Sequence, residues 1–287
     1  MTLALTLKSI TEPDSALLNK AQKRLDNLTK PHGSLGRLEE LAKLIVAASA
    51  KENPDLKNKV IFTLVADHGV AEEKVSAFPQ EVTAQMVYNF LSGGAGINAL
   101  AGHVGARVIV ADVGVASTLK PDPKLIIKKI GTGTKNMTRG PAMTRQEAIR
   151  SIETGVEIFE NEYKNGIDII GTGEMGIANT TPASAITAVF TKKKVEDITG
   201  RGTGINDEAL KNKIRVIKKA LKVNKPCPDD PIDVLSKVGG FEIGALTGII
   251  LAACSHKVPV VIDGFISGAS ALIAYHMEPK TKSYMIA

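Results

Sequence analysis

Several short stretches of this 287-residue chain set chemically capable residues close together. In "IDIIGTGEMGIANTTPASAI" (167–186), a β-rich run opens into Gly171, Gly173 and Gly176, the pattern G-x-G-x-x-G. Glycines so spaced let a helix N-terminus approach the pyrophosphate of a dinucleotide. Here Glu174 stands between the second and third glycines. A carboxylate there would repel a pyrophosphate by roughly 4 kcal/mol, for unit charges about 4 Å apart at an effective dielectric of about 20. The sequence also starts its helix late, with Thr181 as N-cap and Pro182 at the first helical position. Glu196 and Asp197, at a suitable distance to hold a ribose, fall in the Lys-rich "KKKVEDITG" instead of ending a strand. The pattern argues against NAD. Glu174 keeps two readings: a strand-tip carboxylate for chemistry or ligand orientation, or one that only accepts loop amides.

A second glycine-rich turn, "GRGTGI" (200–205), precedes Asn206 and a basic helix containing Lys213. Backbone amides of such a turn can cradle a phosphate, with an ammonium completing the charge match. A carboxylate on one loop and a phosphate cradle on another suit a phosphorylated sugar better than a dinucleotide. Against Lys213 stands its company: five cations lie between Lys211 and Lys219, and most lysines in such a run are solvated. Asp67 and His68 in "ADHGV" either border the same site or form a strand-end turn with a packed imidazole.

The elements that must position these residues are readable. "VIFTLVAD" (60–67), "RVIVADVGV" (107–115), "IDIIGTGE" (167–174) and "VPVVIDGF" (258–265) are apolar runs of the kind buried on both faces of a parallel sheet. Helices alternate with them. Thr144 and Glu147 form a capping box, Gly166 ends that helix, Pro79 to Glu81 open a helix running towards Leu91, and Asn206 caps another. The first fifty residues read as two helices, with Thr11 as a cap and a break at "KPHGSLG". The expected fold is α/β, a Rossmann-like parallel sheet flanked by helices, with ligands at the carboxyl ends of its strands.

Composition limits the function classes. A charged content of 23% against 44% hydrophobic is that of a soluble globular protein. The longest apolar run, 244–254, is too short for a bilayer, and Lys8 interrupts any signal-like segment. No membrane role is expected. Two cysteines outside any C-x-x-C pair, and five histidines never at i, i+4 spacing, argue against disulfides and metal and for a reducing cytoplasm. The net charge of +6 would attract an acidic ligand. Nucleic acid is disfavoured, because no aromatic residues interleave the basic runs at 127–129, 192–194 and 211–219.

"KPHGSLGRLEELA", "ADHGVAEEKVSAFPQEVTAQMVYNFLSGGAGINALA", "GTGEMGIANTTPASAI", "IDVLSKVGGFEIGALTG" and "VPVVIDGFISGASAL" together resemble the nicotinate-nucleotide–dimethylbenzimidazole phosphoribosyltransferase family, from about residue 12 onward. The resemblance implies transfer of the 5-phosphoribosyl group of nicotinate mononucleotide to 5,6-dimethylbenzimidazole, giving α-ribazole 5′-phosphate and nicotinate for the cobalamin lower ligand. It implies a homodimer without metal or other cofactor. It further implies a small helical subdomain built from both chain ends, here residues 1–57, beside an α/β domain at 58–287. By the same resemblance Glu174 is catalytic. Gly202 and Lys213 surround the phosphate, and Gly176, Asn179, Thr180 and Thr181 face the donor. Phe78, Pro79, Gln85 and Met86 line the acceptor pocket, and Asp263 ends a neighbouring strand. The family's proposed general base lies in a Gly-Glu-Gly-Thr/Ser-Gly loop near its carboxyl end. No such stretch occurs in these residues, so the reading expects a further segment beyond Ala287. It also keeps open a non-catalytic nucleotide- or base-binding subunit or an inactive fragment.

Overall fold

The computed structural model describes residues 2–287. Its frame is one parallel sheet of six strands: β1 (Lys59–Ala66), β2 (Ala106–Gly114), β3 (Leu125–Ile127), β4 (Ile169–Met175), β5 (Val260–Val261) and β6 (Met285–Ile286). Their spatial order is β3-β2-β1-β4-β5-β6, so β1 and β4 are adjacent at the centre, where the order changes direction. Clefts in open α/β sheets form at that switch, beyond the carboxyl ends of the strands. β1 is buried on both faces: Phe62, Leu64 and Val65 are all inaccessible. Such β-branched and aromatic runs gain about 1.5–3 kcal/mol per buried large side chain.

The helices are α1 (Leu3–Ser9), α2 (Ser15–Asp26), α3 (Arg37–Ser49), α4 (Val82–Leu91), α5 (Gly96–Val104), α6 (Arg145–Tyr163), α7 (Thr180–Thr191), α8 (Val195–Ile198), α9 (Asp207–Asn224), α10 (Pro231–Val238), α11 (Phe241–Ser255) and α12 (Phe265–Met277). α11, buried almost throughout, packs against α6, α12 and the sheet. Among the described residues no helix is long and apolar enough to cross a membrane. Helix ends follow their sequence signals in two cases. Thr144 Oγ1 accepts the Glu147 amide at 3.2 Å while Glu147 accepts the Thr144 amide at 2.7 Å. Asn206 accepts the Ala209 amide at 2.9 Å.

Several expectations need correction. Three helices, not two, precede β1, and α2 is capped by Asp14 instead of Thr11. α4 begins at Val82; Pro79 and Gln80 instead receive single-turn bonds from Val82 and Thr83, at 3.2 and 3.0 Å. α7 begins at Thr180 with Asn179 as its N-cap, so Thr181 and Pro182 lie inside its first turn. The fourth expected strand pairs over only Val260 and Val261. β3 was not expected; three residues between prolines and lysines carry too little pattern.

Candidate active site

The G-x-G-x-x-G segment is mostly strand. β4 stays in register with β1 as far as Val65↔Met175, which places Gly171 and Gly173 inside the ladder. Glu174 is therefore a side chain at the tip of a central strand, not part of a phosphate loop. The chain then turns through Ala178, at φ +76°, into α7. A non-glycine residue held in that region stores strain, which proteins tolerate where geometry serves a site.

Asn179, at the N-cap of α7, donates its side-chain amide to Glu174 Oε2. Burial raises the Glu174 carboxyl to about 7; the Asn179 bond opposes that shift and the charge of Glu242 reinforces it. The next residue, Thr180, accepts a hydrogen bond from Lys213 Nζ through Oγ1 at 2.6 Å. Consecutive residues thus hold the carboxylate and the ammonium, and the two sequence motifs converge at one helix start.

Lys213 is 1% exposed, contrary to the solvated reading. Its other oxygen contact is the Gly200 carbonyl at 3.4 Å, and no carboxylate pairs with it among the described residues. Burial alone lowers its pKa to about 8. The glycine-rich turn lies directly over it. A Cβ at Gly202, whose φ is +54°, would stand 2.8 Å from Thr180 Oγ1 and 3.1 Å from Lys213 Nζ. A buried cation facing only neutral oxygens, beside a helix N-terminus and a glycine turn, is suited to an anion.

The acceptor segment reaches the same place through the turn. Thr203 Oγ1 lies 3.3 Å from Ser76 Oγ and accepts the Ala77 amide at 3.0 Å, next to exposed Phe78 and Pro79. Behind them, α4 is tied to the β4–α7 turn by the Ile177 amide, donated to buried Thr83 at 3.1 Å. On α4, Gln85 faces solvent, and Met86 packs with Met175 against the cluster around Val65 and Val87. Asp263, exposed after β5, donates its backbone amide to Thr172 Oγ1 of β4 at 3.2 Å, and its charge adds to the upward shift of Glu174. Thr181 is wholly buried and points into the protein. Gly176 has no room for a side chain: a Cβ would press on the Ala66 carbonyl oxygen and stand 3.2 Å from His68 Nε2.

Sequence reasoning missed Glu242, in the first turn of α11. It is inaccessible, and its Oε1 lies 2.7 Å from Nε2 of His68, which is 1% exposed. Burial alone would discharge His68, but Glu242, Asp67 and Glu174 outweigh it and hold its pKa above the ordinary histidine value. Burial raises Asp67 as well, against the Ala116 amide that its Oδ2 accepts at 2.8 Å. A signal for Glu242 was present: it is the single carboxylate in an otherwise apolar helix, and such a charge requires a partner.

Residues 10–287 match the family model DBI_PRT, described as phosphoribosyltransferase. The nicotinate-nucleotide–dimethylbenzimidazole phosphoribosyltransferase of Desulforudis audaxviator is 55% identical over 98% of this chain and 80% of its own length. The protein of the same name from Geotalea uraniireducens is 56% identical over the same shares. The crystal structure of CobT from Thermus thermophilus superposes with a TM-score of 0.91 at 41% identity, over 95% of this chain and 81% of that one. With that agreement in sequence and overall fold, the chain belongs to the DBI_PRT phosphoribosyltransferase family.

Proposed function

We propose that this protein transfers the 5-phosphoribosyl group of nicotinate mononucleotide to 5,6-dimethylbenzimidazole, releasing nicotinate and forming α-ribazole 5′-phosphate for the cobalamin lower ligand. The observation that carries the reading is the buried ammonium of Lys213, without a counter-ion and joined through Thr180 and Asn179 to a strand-tip carboxylate. The donor's phosphate supplies the missing negative charge, held by Lys213, the Gly202 turn and the first amides of α7. The ribose then lies towards Glu174.

As the bond between C1′ and nicotinate lengthens, the ribosyl centre becomes cation-like, and the Glu174 carboxylate stabilises it. The acceptor, held over Phe78, Pro79, Gln85 and Met86, attacks C1′ from the opposite side through its free ring nitrogen. This inverts the β-linked donor into an α product. Nicotinate leaves with the bonding pair, and the proton on the second acceptor nitrogen must go to a base. Glu174, a carboxyl titrating at about 7, orients a water that takes this proton. Asp263 contributes negative potential from the neighbouring strand.

We take the molecule to be a cytoplasmic homodimer. Support comes from two cysteines that are both free, Cys227 and Cys254, and from Leu100 and Val104, which α5 exposes at 69% and 51%. Residues 1–57 are taken as a small helical unit beside the α/β domain, with α2 packed on α3. Incubation with nicotinate mononucleotide and dimethylbenzimidazole should release nicotinate and α-ribazole 5′-phosphate in equal amounts, resolved chromatographically. Failure to release nicotinate with dimethylbenzimidazole, adenine or a phenol would sink the reading.

A further inference from the structure

His68 is a basic group set among acids. Asp67 precedes it on its own turn, Glu242 faces it from α11, Glu174 from β4, and Asp263 faces Glu174 in turn from the β5–α12 connection. The two closest partners are both inaccessible, with Nε2 to Oε1 at 2.7 Å. Backbone on two sides is reduced to glycine to admit the ring. A Cβ at Gly176 would stand 3.2 Å from His68 Nε2, and one at Gly240 would fall on His68 Cε1 and stand 2.7 Å from Glu242 Oε2. On a third side His68 bridges to Thr134, whose carbonyl accepts the Gly69 amide at 3.0 Å. His68 Nδ1 and Glu242 Oε2 have no hydrogen-bond partner among the described residues.

As a stabilising device this pair is poor. Two charges leave water for a single bond, and apolar side chains of like volume would pack there at least as well. Its position is more informative: a Cβ at Gly176, two residues beyond Glu174, would stand 3.2 Å from Nε2, which sets the ring against the turn that follows Glu174 at the switch point of the sheet. We propose that His68 and Glu242 are positioning residues, a buried imidazolium–carboxylate pair behind Glu174 that sets the pH at which that carboxyl ionises without touching substrate. The link to turnover rests on the function proposed above; the link to Glu174 ionisation does not.

The imidazolium favours the Glu174 anion, and Glu242 opposes it while holding the ring charged. Removing the ring's charge leaves Glu174 facing acids alone. In His68→Gln, the ¹³C carboxyl resonance of Glu174 should titrate about one unit higher than in the unaltered protein. The acidic limb of kcat/KM should move by the same amount, and kcat at high pH should stay within a few-fold of the original. A purely structural role would lower the melting temperature and leave both titrations where they were, and that outcome overturns the proposal. If His68→Gln does not fold, the unaltered protein decides: ¹⁵N shifts must show the His68 ring keeping both protons above the ordinary histidine range of about 6.5, and a ring that discharges within or below it refutes the pair. A protein without transferase activity would overturn the proposed function, while the Glu174 titration would still test the pair.

Discussion

The two ends of the site treat buried charge in opposite ways. At the acidic end the chain provides its own counter-ion, His68 against Glu242, assembled from the tip of β1 and the start of α11 behind Glu174. At the basic end Lys213 is equally buried and, among the described residues, meets only Thr180 and Gly200 oxygens. A protein that balances one charge and leaves the other unbalanced indicates which one the ligand balances. Burial moves both functional groups towards neutrality, Glu174 up to about 7 and Lys213 down to about 8. Each is therefore sensitive to what binds beside it.

The contrast breaks hardest at Glu174. Glu174→Gln keeps a shape that Asn179 can still meet and removes the charge, so kcat should fall about 100- to 1,000-fold with donor affinity within a few-fold. Steady-state kinetics with calorimetry checks this, and unchanged turnover removes Glu174 from the mechanism. At the other end Lys213→Met should weaken nicotinate mononucleotide at least about 100-fold, the effect of removing one partner from a desolvated charge pair. The same variant should melt higher than the original, because an uncompensated buried ammonium gives way to packing atoms. Lower stability with intact binding would mean that Lys213 is structural.

A smaller effect is expected at Gly202. In Gly202→Ala the methyl would stand 2.8 Å from Thr180 Oγ1 at a positive φ, so donor affinity should drop about tenfold and stability by about 1 kcal/mol. Calorimetry and denaturant titration measure the two. The mildest test varies pH alone. Activity needs the Glu174 carboxylate and the Lys213 ammonium, so kcat/KM should rise through about pH 7 and fall through about pH 8. Stability should follow the opposite course. The folded protein holds the Glu174 proton between the unfolded value of about 4.3 and its own of about 7, so stability declines as pH rises through that window. The unfolded chain holds the Lys213 proton between about 8 and about 10.4, so stability recovers there. A flat activity profile from about pH 6 to about pH 9 would contradict both assignments.

How legible each end was in the sequence follows from the same physics. The central strands are apolar on both faces and came through as continuous runs, and so did the run containing β5, read longer than it pairs, whereas β3 pairs over too few residues to carry a period. The glycines of 171–176 imitate a loop motif because sequence alone does not say whether a glycine serves a turn or a tight strand contact. Lys213 was hidden among cations, yet α9 buries Lys213, Val216, Ile217, Ala220 and Asn224 as one stripe. Glu242 was legible only as an anomaly, since its partner His68 lies 174 residues away.

A crystal structure of the nicotinate mononucleotide complex tests the central claim most directly. The phosphate should lie within hydrogen-bonding distance of Lys213 Nζ and the amides around Gly202, with C1′ turned towards Glu174. A donor seated elsewhere, for instance in the cleft of about 620 Å³ lined by Lys135, Arg139 and Lys237, would contradict it.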